Sequence, residues 1–202
     1  MKKGDFDRWN PHISVFEGVY PPSEDSELLA SAIKNHKKVR YALDVGTGSG
    51  YVALFLSKIS EIVISSDISL YCVKCSKKNA SDNGIDNISF LISDLTSAFR
   101  NNVFDIITFN PPYLPVDNNV KPHENPELAW DGGKDGRTVI ARFLADAYRV
   151  LADDGEIFLV ISSLTGYNEV IDLCKHYGYS HVLVDYKRFF FEILFLLKLE
   201  KI

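Results

Sequence analysis

Residues 105–113 read D-I-I-T-F-N-P-P-Y, an apolar run that passes directly into a polar tetrapeptide. The run from Ile106 to Phe109 has the composition and length of a buried strand. The tetrapeptide then falls at the carboxyl end of that strand, where open α/β sheets bind ligands. Its two prolines lack N–H donors but keep carbonyl acceptors. Together with the Asn110 carboxamide and the flat ring of Tyr113, they can hold a planar NH2 group. The alternative interpretation is a strand that simply ends in a Pro-Pro turn.

Strands and helices alternate on both sides of this segment. Apolar runs predict strands over residues 39–44, 61–66, 87–92, 103–109, 156–162, 180–185 and 190–199. Helical spacing predicts helices over residues 24–35, 51–59, 69–83, 137–151 and 163–177. Such alternation indicates a mostly parallel sheet, whereas the short link between the last two strands requires an antiparallel pair. The sequence therefore predicts an α/β fold with a Rossmann-like, doubly wound, mostly parallel seven-stranded sheet whose last strand is antiparallel.

Length and composition predict one domain over residues 1–202, with residues 1–18 as an N-terminal extension. The net charge of −5 gives no general attraction for nucleic acid. No signal peptide and no apolar run long enough to cross a bilayer are evident, so no membrane partner is expected. Three cysteines in a globular chain of this size suggest a reducing compartment, so a cytoplasmic location is expected. Cys72 and Cys75 form a C-x-x-C inside a predicted helix without a second pair, so no metal site is predicted.

Residues 42–50, A-L-D-V-G-T-G-S-G, predict a strand followed by a glycine-rich turn that opens a helix. The glycines, Gly46, Gly48 and Gly50, let a ligand approach the backbone closely. Their spacing departs from the dinucleotide pattern, and no G-K-S/T follows as a phosphate loop requires. Asp44 beside the turn suits a cationic ligand better than a pyrophosphate. On its own, the pattern is equally compatible with a simple strand–helix turn.

Two further aspartates end the next two predicted strands. Asp67 lies about twenty residues beyond the turn, where a carboxylate can accept both hydroxyls of a ribose. Asp94 lies beside Leu95 and can accept an exocyclic NH2 group from an adenine packed on that apolar neighbour. Either aspartate alone is more typical of a helix cap or a solvated turn. Three acidic residues at one edge of a sheet together indicate a nucleoside site.

Residues 114–136 are rich in Pro, Asn and Gly and predict a long loop. A loop of this length in a compact domain is often functional, so it is predicted to be a substrate lid. Its charged residues are mostly acidic, which disfavours a phosphate backbone as the substrate.

Taken together, these motifs resemble the class I S-adenosylmethionine-dependent methyltransferases. N-P-P-Y is similar to the motif of amino-group methyltransferases. Two further segments resemble the HemK-type protein glutamine methyltransferases in their short archaeal and eukaryotic form. Residues 19–26, V-Y-P-P-S-E-D-S, resemble V-Y-x-P-x-E-D-S/T. Pro21 is a departure, because an acidic residue is expected at that position. Residues 128–137, L-A-W-D-G-G-K-D-G-R, resemble A-W-x-G-G-x-D/N-G-R.

The resemblance implies roles for particular residues. The catalytic residues are Asn110, Pro111, Pro112 and Tyr113. The residues that bind S-adenosylmethionine, and its product S-adenosylhomocysteine, are Ser26, Asp44, Gly46, Gly48, Gly50, Asp67, Ile68, Asp94, Leu95 and Asn110. The residues that bind the substrate are Asn110, Tyr113, Glu127 and Trp130.

The resemblance also implies a substrate and a partner. The substrate is a glutamine in the Gly-Gly-Gln loop of a peptide-chain release factor. The partner is a small zinc-binding activator protein, for which the unguarded apolar strand over residues 87–92 offers an edge. The alternatives are an adenine-N6 methyltransferase acting on DNA or RNA, a protein lysine methyltransferase, and a catalytically silent binding subunit.

Overall fold

The computed structural model describes residues 9–34, 36–113, 133 and 135–202. The strands are β1 (Val39–Val45), β2 (Ser60–Asp67), β3 (Ile88–Ile92), β4 (Phe104–Phe109), β5 (Leu151–Ser162), β6 (Tyr179–Arg188) and β7 (Ile193–Lys201). The helices are α1 (Glu24–Lys34), α2 (Tyr51–Leu56), α3 (Leu70–Asp82), α4 (Thr138–Val150) and α5 (Tyr167–His176). A short 3-10 turn, Ser163–Thr165, precedes α5.

All seven strands form one sheet in the order β3-β2-β1-β4-β5-β7-β6. The first five in this order run parallel, and β7 pairs antiparallel with both β5 and β6. Helices α1, α2 and α3 cover one face, and α4 and α5 cover the other. Successive side chains of β4 point to opposite faces of the sheet. Ile106 packs on the face covered by α1, α2 and α3, and Ile107 packs on the face covered by α4 and α5. The predicted doubly wound fold is therefore confirmed.

The strand order places a switch point between β1 and β4. From β1 the chain winds outward to β2 and β3, then returns to the centre and winds the other way. Loops that leave β1 and β4 therefore diverge to opposite faces, which opens a crevice at the carboxyl edge. The sequence motifs at the ends of β1 and β4 lie at this crevice.

Some boundaries differ from the predicted ones. Helix α2 ends at Leu56 rather than at residue 59. Strand β5 begins at Leu151, five residues before the predicted start at Glu156. The A-D-D-G segment, residues 152–155, has the composition of a turn. It continues the strand as a bulge, because the pairing with β4 shifts register between Phe104 and Ile106. No helix among the described residues is long and apolar enough to cross a membrane.

Candidate active site

A pocket of about 1110 Å³ opens at the carboxyl edge of the sheet, at the switch point. Its walls come from the loops that follow four neighbouring parallel strands. The predicted residues that line it are Ser26, Asp44, Gly46, Gly48, Asp67, Ile68, Asp94, Leu95, Asn110, Pro111, Pro112 and Tyr113. The residues at the ends of these strands, from Asp44 to Tyr113, share one cavity although they are up to 69 positions apart, because the strands are parallel neighbours.

The glycine turn after β1 serves two different surfaces. Gly48 has φ +53° and lines the pocket, and among the described residues an added Cβ atom would have only the Tyr20 carbonyl within 4 Å, at 3.9 Å. Gly50 has φ +83° and does not line the pocket. A Cβ atom on Gly50 would lie 2.8 Å from Ser76 Cβ and 2.9 Å from its Cα, on helix α3. Gly50, predicted as a cofactor residue, therefore serves the packing of the turn against α3.

Asp44 is buried at the base of the pocket, where two hydroxyl groups donate to it. Thr47 Oγ1 lies 2.6 Å from Oδ2, and Thr108 Oγ1 lies 2.7 Å from Oδ1. Burial raises the pKa of Asp44 to about 6, against the opposing effect of these two donors. Because the folded-state pKa is raised, this carboxyl favours folding below its ordinary pKa, and that contribution is lost as the pH rises through about 6. A bound cation would oppose this loss by stabilising the carboxylate.

Asp67 connects the end of β2 to the glycine turn. Its Oδ2 accepts the Gly48 N–H at 3.0 Å, and its Oδ1 accepts the Ser69 N–H at 2.9 Å. Burial raises the pKa of Asp67 as well. Each carboxylate oxygen has a second lone pair, so a carboxylate held by two backbone donors can still accept hydroxyl groups from a ligand. Ile68, 71% exposed, stands beside it in the pocket wall.

Asp94 has a partner that sequence reasoning did not identify. Arg142, on α4, donates from Nη2 to Asp94 Oδ2 at 2.6 Å and also lines the pocket. Both side chains are about half exposed, and an exposed pair of this kind contributes little to stability. The Asp94 carboxylate can therefore exchange this partner for a ligand. Leu95 follows in a left-handed conformation, φ +50°, and packs against the core.

Asn110 carries an unpaired acceptor inside the pocket. Its Oδ1 is buried and has no hydrogen-bond partner among the residues that the structure describes. A buried polar atom without a partner is rare and unfavourable, because it has lost its bonds to water. Pro111, which follows, is buried, and Pro112 and Tyr113 are half-buried. Within the part of the chain that the structure describes, this acceptor is therefore left for a ligand or solvent.

The Tyr113 ring is held by a carboxylate from α1. Asp25 is buried, and its Oδ2 accepts the Tyr113 hydroxyl at 3.4 Å and the Tyr20 hydroxyl at 3.0 Å. Burial, and next the charge of Asp25, raise the pKa of Tyr20 to about 12 and raise that of Tyr113 further. Both tyrosines are therefore neutral donors at physiological pH and cannot act as bases.

Sequence reasoning did not identify Tyr20 and Asp25 as site residues. The signal was available in the Val19–Ser26 segment, whose resemblance to the family motif was noted without a role for its aspartate. Ser26 is a neighbour of this cluster, because its N–H and its hydroxyl both donate to Asp25 Oδ1, at 2.6 and 3.1 Å. Glu127 and Trp130, and most of the predicted lid over residues 114–136, lie outside the described residues.

Comparisons with known proteins identify the family to which the chain is similar. The methyltransferase small domain family matches residues 19–122. A relative from Methanocaldococcus jannaschii, provisionally named a protein N5-glutamine methyltransferase, is 37% identical over 83% of this chain and 84% of its own length. Methyltransferase HEMK2 of Homo sapiens is 29% identical over 81% of each chain.

A solved structure is similar as well. A chain of the E. cuniculi Mtq2–Trm112 complex, which methylates the translation termination factor eRF1, superposes with a TM-score of 0.69. It is 26% identical, and the match covers 92% of this chain and 99% of that one. The chain therefore belongs to the methyltransferase small domain family and is an S-adenosylmethionine-dependent methyltransferase of the HemK type.

Proposed function

We propose that this chain transfers a methyl group to the side-chain amide nitrogen of a glutamine in the Gly-Gly-Gln loop of a peptide-chain release factor. The observation that carries the proposal is the buried Asn110 Oδ1, at the carboxyl end of β4 in the pocket, which has no hydrogen-bond partner among the described residues. Relatives that act on release factor glutamine support the substrate class, among them the bacterial enzyme of Thermodesulfovibrio yellowstonii. A primary amide carries two N–H hydrogens, and Asn110 Oδ1 can accept one of them.

The pocket fits S-adenosylmethionine in size and in the chemistry of its walls. We assign the ribose hydroxyls to Asp67, and the adenine to Asp94 together with the apolar side chains of Ile68 and Leu95. The turn at Gly46 and Gly48, with Asp44 and Ser26, is assigned to the cationic methionine end. Gly48 provides the close backbone approach, because no side chain fills the space in front of it. When bound, the cofactor supplies an electrophilic methyl group on a sulfonium.

Asn110 and its neighbours then orient the amide. Amide nitrogen is a weak nucleophile because its lone pair is delocalised into the carbonyl group. Asn110 Oδ1 and the Pro111 carbonyl would accept the two amide hydrogens, which holds the nitrogen toward the methyl group and stabilises positive charge as it develops. Tyr113, whose hydroxyl donates to Asp25, would stack on the amide plane. Pro112 restricts the backbone so that these acceptors stay in place.

The charge around the pocket mouth favours a protein substrate over a nucleic acid. The described lining includes the acidic side chains of Glu17, Glu24 and Glu192. In the predicted lid, residues 114–136, the sequence holds two lysines against five acidic residues, among them Glu127. Phosphate backbones are bound mainly by Lys and Arg, so this balance opposes them. Glu127 and Trp130 are proposed to contact the substrate loop.

The decisive experiment is transfer of a radiolabelled methyl group to a purified release factor, with a DNA duplex as the parallel substrate. We expect transfer to the release factor, its loss when the Gly-Gly-Gln glutamine is changed to alanine, and little transfer to DNA. Adenine methylation of the duplex at physiological salt, with none of the release factor even with an activator present, would support the adenine-N6 alternative instead.

Asp67 provides a test of the cofactor assignment. Asp67→Asn keeps the shape of the side chain but removes the charge that would accept the ribose hydroxyls. We expect cofactor binding to weaken by about 1.5–3 kcal/mol, the usual contribution of a hydrogen bond to a charged group. Titration calorimetry measures the effect. Asp86→Asn, at an exposed aspartate outside the pocket lining, is the control and should bind as the wild type does. Wild-type affinity in Asp67→Asn would contradict the assignment.

We also propose that a small zinc-binding activator protein adds a strand to β3. This strand lies at the edge of the sheet, and Leu91 and Ile92 are 38% and 51% exposed. An unguarded apolar edge offers free backbone donors and acceptors to an added strand. The Mtq2–Trm112 complex supports a partner subunit of this kind. A cytoplasmic location is part of the same proposal, since translation factors are the substrate.

Hydrogen exchange tests the edge-strand proposal. Alternate amides of residues 88–92 already face β2, so we expect the amides that point away from β2 to exchange slowly only when the activator is added. Ile92→Lys should weaken the complex by at least about tenfold, because it places a charge at the apolar edge. Val182→Lys, on the opposite edge strand β6, is the matched control, since Val182 is 55% exposed. Protection of these outward-facing amides in the free protein would show that the edge is already covered.

A further inference from the structure

The loop between β6 and β7 exposes three consecutive phenylalanines. Phe189 is 37% exposed, Phe190 is 91% exposed and Phe191 is 85% exposed. Among the large hydrophobic residues that the structure describes, none is as exposed as Phe190 and Phe191. Single apolar residues at a surface are ordinary, but a contiguous aromatic patch marks an interaction site. We refer to residues 189–191 as the phenylalanine tip.

Hydrogen bonds hold the backbone of the turn that carries the phenylalanine tip. The Phe189 N–H donates to the Glu192 carbonyl at 2.7 Å, which closes the turn. The rings of Phe190 and Phe191 contact each other edge to face, with centroids 4.5 Å apart. Just beyond, Ser163 Oγ accepts the Ile193 N–H at 2.9 Å. The backbone turn therefore presents the two exposed rings side by side at the surface.

The tip is continuous with the mouth of the active-site pocket. Phe189 and Glu192 both line the pocket that contains Asn110 and Tyr113. The Glu192 side chain is held by a hydrogen bond, because Ser162 Oγ, at the end of β5, donates to its Oε1 at 2.5 Å. A polypeptide that inserts one side chain into the pocket therefore brings its neighbouring surface against the tip.

We propose that the phenylalanine tip docks the substrate protein, by entering an apolar hollow on the release factor beside its acceptor loop. The inference rests on the proposed function and deepens it, because it separates recognition of the whole protein from recognition of the glutamine. Aromatic anchors of this kind dominate the energy of protein interfaces. A second copy of this chain seated on the tip would cover the pocket mouth. An anionic bilayer would meet the carboxylates of Glu17, Glu24 and Glu192.

The test compares Phe190→Ser/Phe191→Ser with the wild type in two measurements. The first is the Kd for a purified release factor with S-adenosylhomocysteine present, obtained by calorimetry. The second is kcat at saturating release factor. We expect Kd to rise at least about tenfold, with kcat and Tm unchanged. Val182→Ser is the control, an exposed apolar residue about 20 Å further along β6 from the tip, and should leave Kd unchanged.

Other results would overturn the inference in distinguishable ways. An unchanged Kd, while the wild type methylates the release factor, rejects the tip alone and leaves the proposed function standing. No methylation by the wild type rejects the proposed function and the docking role with it. A lower Tm would show that the tip packs on its own chain. Concentration-dependent dimerisation, or binding to phosphatidylglycerol vesicles, that the double variant abolishes would assign the tip to a second copy or to a membrane.

Discussion

Replacing Asn110 with alanine is expected to lower kcat by at least about a hundredfold, the usual loss when a hydrogen-bond partner of the transition state is removed. The same substitution is expected to leave the folded protein as stable as before. Asn110 Oδ1 makes no hydrogen bond among the described residues, so folding gains nothing from it. Cofactor affinity should change by only a few-fold, because Asp67 and the glycine turn lie on other strands.

A matched substitution separates this effect from simple destabilisation. Asn87 is likewise adjacent to a strand, since it directly precedes β3. Unlike Asn110, however, its Nδ2 donates to the Ser57 and Ser60 carbonyls at 3.0 and 2.9 Å. Asn87→Ala should therefore reduce stability by about 2 kcal/mol and Tm by about 4–8 °C, while kcat stays close to the wild-type value. Steady-state kinetics and scanning calorimetry on both variants give the comparison.

The contrast between the two asparagines has a clear contrary outcome. If Asn110→Ala methylates at a rate near that of the wild type, the role assigned to N-P-P-Y fails. If its Tm falls as far as that of Asn87→Ala, the lost activity reflects a damaged fold rather than a missing acceptor. Retained stability with lost turnover identifies Asn110 as a residue kept for chemistry.

The sheet could be predicted from sequence because its strands are short, apolar and separated by helices. Four of the five parallel strands are largely buried, so their hydrophobic runs stand out against polar loops, whereas in β3 only Ile88 is buried. The last hairpin was predicted less well. The last strand is predicted over residues 190–199, yet β7 begins at Ile193 and β6 continues to Arg188. Hydropathy cannot distinguish a buried phenylalanine from one exposed at 91%, as Phe190 is.

The candidate site divides in the same way. Asp44, Asp67 and Asn110 could be grouped from sequence, because each ends a parallel strand and such ends share an edge. Asp25 and Arg142 could not be grouped with them, since they come from helices α1 and α4. Whether a helical side chain reaches the pocket depends on how its helix packs on the sheet, which the local sequence does not encode. The Asp25 contact with Tyr113 joins positions 88 residues apart.

The glycine turn gives the second large effect, and its glycines should respond in different ways. Gly50→Ala is expected to abolish folding or to cost more than about 4 kcal/mol of stability. The added methyl group would overlap Ser76, including its backbone Cα at 2.9 Å, and the φ of +83° adds strain. Helix α3 cannot shift freely away from the turn, because Ser76 Oγ is hydrogen-bonded to Ser65 Oγ of β2 at 2.8 Å inside the core.

Gly48→Ala should fold and lose cofactor instead. Its φ of +53° costs about 1–2 kcal/mol for an L side chain, but the nearest atom to its Cβ is 3.9 Å away. That methyl group would stand in the pocket and weaken cofactor binding by about 1–3 kcal/mol, as an extra methyl group does in a packed site. Gly84→Ala is the control for strain alone, since it has φ +64° with nothing within 4 Å of a Cβ. Calorimetric Tm and cofactor titration on the three variants should rank Gly50 first for lost stability and Gly48 first for lost affinity. Equal cofactor affinities in Gly48→Ala and Gly84→Ala would remove Gly48 from the binding site.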